Sequence, residues 1–419
     1  MIGEMLPVRG QKRRLRTALL ADTLCSRGHE VTWWSSRFDH DKKQWLPENA
    51  QAETPNLHLE LARGLGYAHN YSVRRYFDHR LVTRRLLHAA RRSGQKPDLI
   101  LATVPDHNLA CGMTRIGVDL GIPVVIDIRD QWPEIFLRPL PASLQPFGRL
   151  VLAKDFRRLR WCLQRAYCLT AMMGPLLDWG LAIAGRSRSD DDQVLPLGSK
   201  DLPSVGQEAL PAEVRDAIRL RPGARVITFA GTFGEFYNPE IIVRAARRFQ
   251  GSGPQAKDYL FVLAGDGQYV RTVNEAAAGM SNVILPGWLG PEAIAALLRS
   301  SHLFIIPCTK PIPAFPNKAF AYLSAGAPII SSVYGELRDI IEQTGIGANF
   351  EPGDEEALAA KIEQILGNEE QRCRMGQAAR QLYEEKFSSD IIYGEFAGFL
   401  ENLARNRSAR QRELERSTR

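Results

Sequence analysis

The chain has 419 residues, 44% hydrophobic and 24% charged, with a net charge of +7, a composition that fits two to three globular domains and excludes disordered or fibrous classes. No apolar run approaches the roughly 18–20 residues that span a bilayer, and the basic amino end has no apolar core of the kind a secretory signal carries. Six scattered cysteines with no CxxC pair indicate reduced thiols rather than a zinc site or a disulfide framework.

Charge is distributed unevenly. Residues 1–200 hold 30 Lys and Arg against 20 Asp and Glu, and residues 201–419 hold 24 against 27. The first half is therefore expected to meet something anionic, with a merely solvated basic face as the plainer alternative. No groove-reading helix, zinc finger or RNA-binding aromatic motif is present, so nucleic acid is not expected as a partner.

In chain order, strands are expected at 29–36, 57–62, 98–104, 123–129 and 168–173, with amphipathic helices between them. The rhythm pauses over 199–224 and resumes with strands at 226–233, 259–267, 282–288, 302–308 and 327–333. Val-, Ile- and Leu-rich strands alternating with helices predict parallel sheets covered on both faces. Three segments follow: an acceptor-side domain over 1–200, a donor-binding domain over 201–385, and a C-terminal helix with a frayed basic tail over 386–419. The pause reads as a hinge. Almost nothing precedes the first helix, so the first domain is expected to lack its opening strand, or the chain to begin late.

Ligands of open α/β sheets bind at the carboxyl ends of strands. Gly231, Thr232, Phe233 and Gly234 follow one strand, and Gly265, Asp266 and Gly267 end another. Glycines there admit a ligand close to the backbone or simply make tight turns. Neither loop is a GxGxxG fingerprint, which argues against a nicotinamide dehydrogenase. Past Cys308, Pro316 opens a short helix with Lys318 in its first turn. A cation is unfavourable there for the helix alone, and a bound phosphate reverses the sign. Asp190, Asp191 and Asp192 formally contain a DxD but lie in a polar loop and read as solvated.

With these residues in place, the chain resembles the retaining glycosyltransferases of family four, in particular the bacterial branch of O-antigen and capsule assembly. The matching motifs are RGHEVTWWSSRFDH (27–40), VIDIRDQWPE (125–134), AGTFG (230–234), LAGDG (263–267), LPGWL (285–289), Pro316-Asn317-Lys318 and Tyr322-Leu323-Ser324-Ala325-Gly326-Ala327-Pro328. The resemblance implies an α/β GT-B fold, two facing doubly wound (Rossmann-like) parallel-sheet domains. It implies a nucleotide-sugar donor, possibly UDP-linked, and transfer with retention, without a metal or other cofactor. A lipid-linked saccharide acceptor at the inner-membrane surface is the implied partner. Gly231, Thr232, Phe233, Gly265, Asp266, Gly267, Leu289, Asn317, Lys318 and Tyr322 would then hold the donor. Arg129 and Asp130 stand where many members have a histidine and an acid, and read as catalytic or as an interior ion pair. His107 is a further catalytic candidate beside Asp106, which caps the next helix on the plainer reading.

Two departures bear on function. The wider family's two glutamates, the second of which holds the donor ribose, correspond here to Pro313 and Ala321, and losing the ribose hydrogen bonds costs about 1–3 kcal/mol of donor affinity. The loop after AGTFG reads Glu235-Phe236-Tyr237, without the family's basic residue. A degenerate, non-catalytic GT-B partner is therefore a second reading, and a nucleotide-sugar epimerase a third. Basic helices at 74–92 and 149–167 are the expected peripheral membrane face.

Overall fold

A computed structural model describes residues 6–9, 14–40, 42–69, 72–137, 140–250, 258–311 and 315–417. Pro313 and much of the segment 3–10, expected to form a loop on the acceptor side, lie outside the described residues. The chain divides into two compact units, Met1–Gly198 with Ile392–Arg419, and Ser199–Ile391.

Unit 1 begins with α1 (Arg16–Ser26), β1 (Val31–Ser36), the hairpin of β2 (Phe38–Asp39) and β3 (Gln44–Trp45), and β4 (Leu57–Ala62). Next come α2 (Val73–Ser93), β5 (Ile100–Val104), α3 (His107–Leu120) and β6 (Val124–Ile128). The unit continues through α4 (Gln145–Val151), α5 (Ala153–Arg165), β7 (Cys168–Ala171), α6 (Gly174–Ala184) and β8 (Gln193–Val194). Among the described residues β1 pairs with β4 alone, and β5-β6-β7-β8 form a second parallel sheet.

Every residue of β6 is buried, as expected of a parallel strand covered on both faces, yet its fourth residue is Asp127. Burial pushes that carboxyl up, and the Arg16 guanidinium more than offsets the effect, holding it below the usual range. Arg16 Nε and Nη2 reach the two carboxylate oxygens at 3.0 and 2.9 Å, and the Thr170 hydroxyl donates at 2.8 Å. Arg16 Nη1 donates to the carbonyls of Leu195 and Pro196. One side chain thus ties the start of α1 to β6 and to the end of the unit.

Unit 2 contains α7 (Ala212–Leu220), β9 (Arg225–Ala230), α8 (Glu240–Arg247), β10 (Tyr259–Ala264), α9 (Val270–Ala277) and β11 (Val283–Ile284). It continues with α10 (Pro291–Arg299), β12 (Leu303–Ile306), α11 (Asn317–Ala325), β13 (Ile329–Ser331), α12 (Glu336–Thr344) and β14 (Gly347–Asn349). Helices α13 (Glu355–Leu366) and α14 (Glu369–Leu382) follow. The six strands run parallel in the order β11-β10-β9-β12-β13-β14, so the winding reverses between β9 and β12. Helix α15 (Ser389–Ser417) returns to unit 1, where Tyr393, Phe396 and Leu400 pack with Leu20 and Val125.

Three expectations need correction. The supposed hinge over 199–224 includes α7, anchored by Val214 packed with Val226 and Leu260; the helix is short, and its apolar stripe is too brief to stand out in sequence. Asp192 is not solvated. It is buried and accepts from both Nη atoms of Arg186 and from the Leu169 and Ser189 N–H groups. Burial raises its carboxyl, and these donors outweigh that and bring it to about 2. The basic tail is helical through Ser417, propagated from the packed segment of α15.

Candidate functional site

The winding of unit 2 reverses between β9 and β12, and ligands of such sheets sit beyond the carboxyl ends of the strands at that point. Three segments converge there. The chain leaves β9 through Gly231, leaves β10 through Gly265-Asp266-Gly267, and re-enters at the start of α11. Gly231 N–H donates to the Ala264 carbonyl, Phe233 N–H to Asp266, and Gly265 N–H to Gly287. A Cβ on Gly265 would collide with the Gly231 carbonyl oxygen, and one on Gly231 with the Lys318 ammonium. Both glycines also hold positive φ, 159° and 152°, that side-chain-bearing residues rarely adopt.

Lys318 decides the character of the site. Its stem is half-buried, but Nζ is enclosed and has no hydrogen-bond partner. The ammonium stands 3.9 Å from the centroid of the Phe229 ring and 3.6 Å from that of Tyr237. Two π faces compensate part of the desolvation. Burial nonetheless pushes its pKa well below the usual lysine value. Around it, α11 has no capping side chain and no acidic residue in its first turn, so its N-terminal N–H groups and dipole add to the positive potential. A buried cation without an anion, beside a bare helix N-terminus and glycine loops, suits a diphosphate.

The other donor-side candidates divide. Asn317, Thr232 and Asp266 are exposed at the site's rim, and Asp266 Oδ1 accepts the Gly267 N–H at 2.7 Å. The Phe233 side chain is core, so only its backbone belongs to the loop. Leu289 is half-buried against the Val226–Val262 side of the sheet. Tyr322 is fully buried and stacked on Phe304 at 4.2 Å; its hydroxyl accepts the Ala230 N–H at 2.8 Å. It therefore fixes the end of β9 rather than touching a ligand. Sequence reasoning missed Phe229 and Tyr237, although the Phe236-Tyr237 pair replacing the family's loop cation was the available signal.

In unit 1, Arg129 follows β6, is half-buried, and places Nη1 3.3 Å from the Thr17 hydroxyl. Asp130 is half-buried, and its Oδ1 accepts the Gln131 N–H at 2.8 Å. The expected interior Arg–Asp pair exists, but it is Arg16–Asp127. His107 is only 1% exposed, with Nε2 3.0 Å from Asp155 Oδ1, and Asp106 caps α3 through the Leu109 N–H. Asp155 also accepts from the Tyr76 hydroxyl. His107 is thus a brace, out of substrate reach. No motif marks its neighbour His79, which stacks on Trp132 at 5.9 Å while Arg75 covers the same indole.

Comparison with known proteins agrees with this geometry. Residues 212–382 match the family described as Glycosyl transferases group 1. Unit 2 carries a group 1 glycosyl transferase domain. The O-antigen chain mannosyltransferase C of Escherichia coli is 24% identical over 222 residues, 52% of this chain and 57% of that protein. The chain spans about half the length of the first curated relatives it matches. In fold it is similar to sucrose-phosphate synthase from Thermosynechococcus elongatus, with a TM-score of 0.63, 15% identity and 92% of each chain covered. Anabaena HepE in complex with UDP gives 0.57 at 15% identity, covering 83% of this chain and 87% of that one. The fold is GT-B.

The unpaired ammonium sets up a trade between stability and binding in this glycosyl transferase domain. Lys318→Met is expected to stabilise the ligand-free protein by about 1–3 kcal/mol, by removing a desolvated, unbonded charge. The same change should abolish measurable pyrophosphate binding. Because the folded pKa is lowered, the charged form is penalised fully below it, and the penalty fades as pH rises towards the unfolded value. The stability gained by Lys318→Met should therefore shrink between pH 7 and 9.5. Thermal unfolding and pyrophosphate titration check both; a variant less stable than wild type contradicts the assignment.

Proposed function

We propose that this protein is a glycosyltransferase that moves a hexose from a nucleotide-sugar, UDP-linked, to a lipid-linked saccharide acceptor with retention, in surface polysaccharide synthesis. The observation that carries the reading is the Lys318 ammonium, enclosed and unbonded at the bare N-terminus of α11. In such a reaction, negative charge grows on the departing diphosphate. A preorganised cation and helix dipole in a low-dielectric pocket stabilise that charge, so the chain itself supplies the electrostatic help and no metal is required. The similarity to HepE, which was crystallised with UDP, favours uridine. The E. coli O-antigen relative favours a surface saccharide product.

On this reading Gly231 and Gly265 let the diphosphate approach the backbone, and the N–H groups of Asn317 and Lys318 face it. Asp130 and Arg129, at the carboxyl end of β6, orient the acceptor hydroxyl. Ala321 carries no carboxylate for the donor ribose, so donor affinity is modest and positioning relies on the diphosphate. Release of UDP from UDP-hexoses in EDTA, with an extract of lipid-linked saccharides as acceptor, tests the proposal. Turnover should appear, and Lys318→Met should lower kcat/KM at least a hundredfold, about 2.7 kcal/mol. Turnover that survives in the variant would place the chemistry elsewhere.

An inner-membrane location is part of the same proposal. Among the described residues no helix is long and apolar enough to cross a membrane. However, α4 presents Phe147, Leu150 and Val151 to solvent at 67–70% exposure. The adjoining α5 and the nearby α2 carry five and seven Lys and Arg residues. Their only carboxylates, Asp155 and Asp78, are buried. Tyr76 of α2 bonds Asp155 of α5, which keeps the two helices adjacent. An apolar knuckle beside basic helices suits an anionic leaflet. Co-sedimentation with vesicles containing phosphatidylglycerol should fall at least tenfold for Phe147→Glu/Leu150→Glu. Equal binding by wild type and variant contradicts it.

A further inference from the structure

Helix α2 brings two side chains, Arg75 and His79, to the same partner, the indole of Trp132. They stand four residues apart, so they project from one face of the helix. The His79 ring lies parallel to the indole, with 8° between the planes and 5.9 Å between centroids. The Arg75 guanidinium is 5.0 Å from the indole centroid, and Phe136 meets the same ring edge-on at 4.6 Å. His79 is 4% exposed and Trp132 7%, so the stack is interior.

The imidazole is oriented by what meets its two nitrogens. Arg75 Nε, which can only donate, stands 3.5 Å from His79 Nε2, so that nitrogen accepts. The proton of the neutral ring then sits on Nδ1, 3.6 Å from Asp106 Oδ2. Both of those atoms are buried without a hydrogen-bond partner, and the attraction between them is electrostatic. Asp78 of α2, His107 of α3 and Tyr67 in the loop after β4 also face the ring. Burial outweighs the carboxylates and holds the His79 pKa below the usual histidine value, so the ring is neutral at pH 7. Protonation would turn Nε2 into a second donor against Arg75 and set two cations side by side.

The stack holds the far end of a short loop. Arg129 N–H donates to the Val104 carbonyl at 3.0 Å and fixes the near end on β5. Only Asp130 and Gln131 lie between that anchor and Trp132, and Asp130 Oδ1 accepts the Gln131 N–H. A shift of the indole is therefore passed to Asp130. On the reading of Arg129 and Asp130 as acceptor contacts, we propose that His79 is a positioning residue for the acceptor. Its neutral ring is the plate on which Trp132 rests, and it sets where Arg129 and Asp130 stand without touching substrate. A misplacement of about 1 Å at such groups costs on the order of a hundredfold in rate.

The test compares His79→Ala, which removes the plate, with His79→Phe, which restores a ring that does not titrate. His79→Ala should lower kcat/KM for the lipid-linked acceptor at least tenfold and leave the Kd for UDP within twofold; His79→Phe should recover most of the loss. Wild-type kcat/KM for the acceptor should fall in a step as pH drops below about 6.5, and His79→Phe should lack that step. An unchanged acceptor kcat/KM in His79→Ala, an equal loss of UDP affinity, or a step that survives in His79→Phe overturns the proposal. Amide exchange at Gln131 provides a readout free of activity. It should quicken at least tenfold in His79→Ala and return towards wild type in His79→Phe. Unchanged exchange overturns the proposal; faster exchange in a protein without turnover upholds the positioning of the loop and counts against the transferase reading alone.

Discussion

The donor end of unit 2 depends on how closely its backbone segments approach one another. The Gly231 carbonyl lies where a Cβ on residue 265 would be, and the Lys318 ammonium lies where a Cβ on residue 231 would be. Only glycine at both positions lets β9, β10 and α11 meet, and the meeting leaves a lysine head with aromatic rings beside it and no anion. Tyr322 holds the end of β9 through Ala230, which keeps Gly231 in register with the start of α11. The fold is thus spent on holding a charge in a place where it is costly until something negative arrives. Such stored cost is the usual mark of a ligand site.

Much of this was legible in sequence, for definite reasons. Strands such as Tyr259–Ala264 are continuous buried runs ending in glycine, and Pro316 with Lys318 marks a helix start that disfavours its own cation. What could not be read were the pairings between distant residues. Nothing in the string shows that the interior pair would be Arg16 with Asp127 rather than Arg129 with Asp130, or that Arg186 would draw Asp192 out of solvent. Tyr322 looked like a donor contact because it sits in the motif, but one helical turn past Lys318 it faces inward onto Phe304. His107 failed as a catalytic candidate for the same reason. A residue at the start of a helix can point into the unit, and Asp155 was there to receive it.

Unit 1 shows a different physical style. Beneath the carboxyl ends of β5 and β6 it stacks His79, Trp132, Arg75 and Tyr67 and buries Asp78, whose Oδ1 accepts the Leu65 and Gly66 N–H groups. These rings and the Arg75 guanidinium pack on one another as a floor, in which Asp78 Oδ2 and His79 Nδ1 are buried without a hydrogen-bond partner. The basic helices and the exposed end of α4 lie in this same unit, and the enclosed Lys318 cation lies in the other.

The most direct measurement is calorimetric titration of the protein with UDP, GDP and ADP in EDTA. The account predicts saturable binding of UDP, stronger than that of GDP or ADP, without added metal. Absence of binding by all three would contradict it, because the enclosed Lys318 would then be a structural oddity rather than half of an ion pair awaiting its partner.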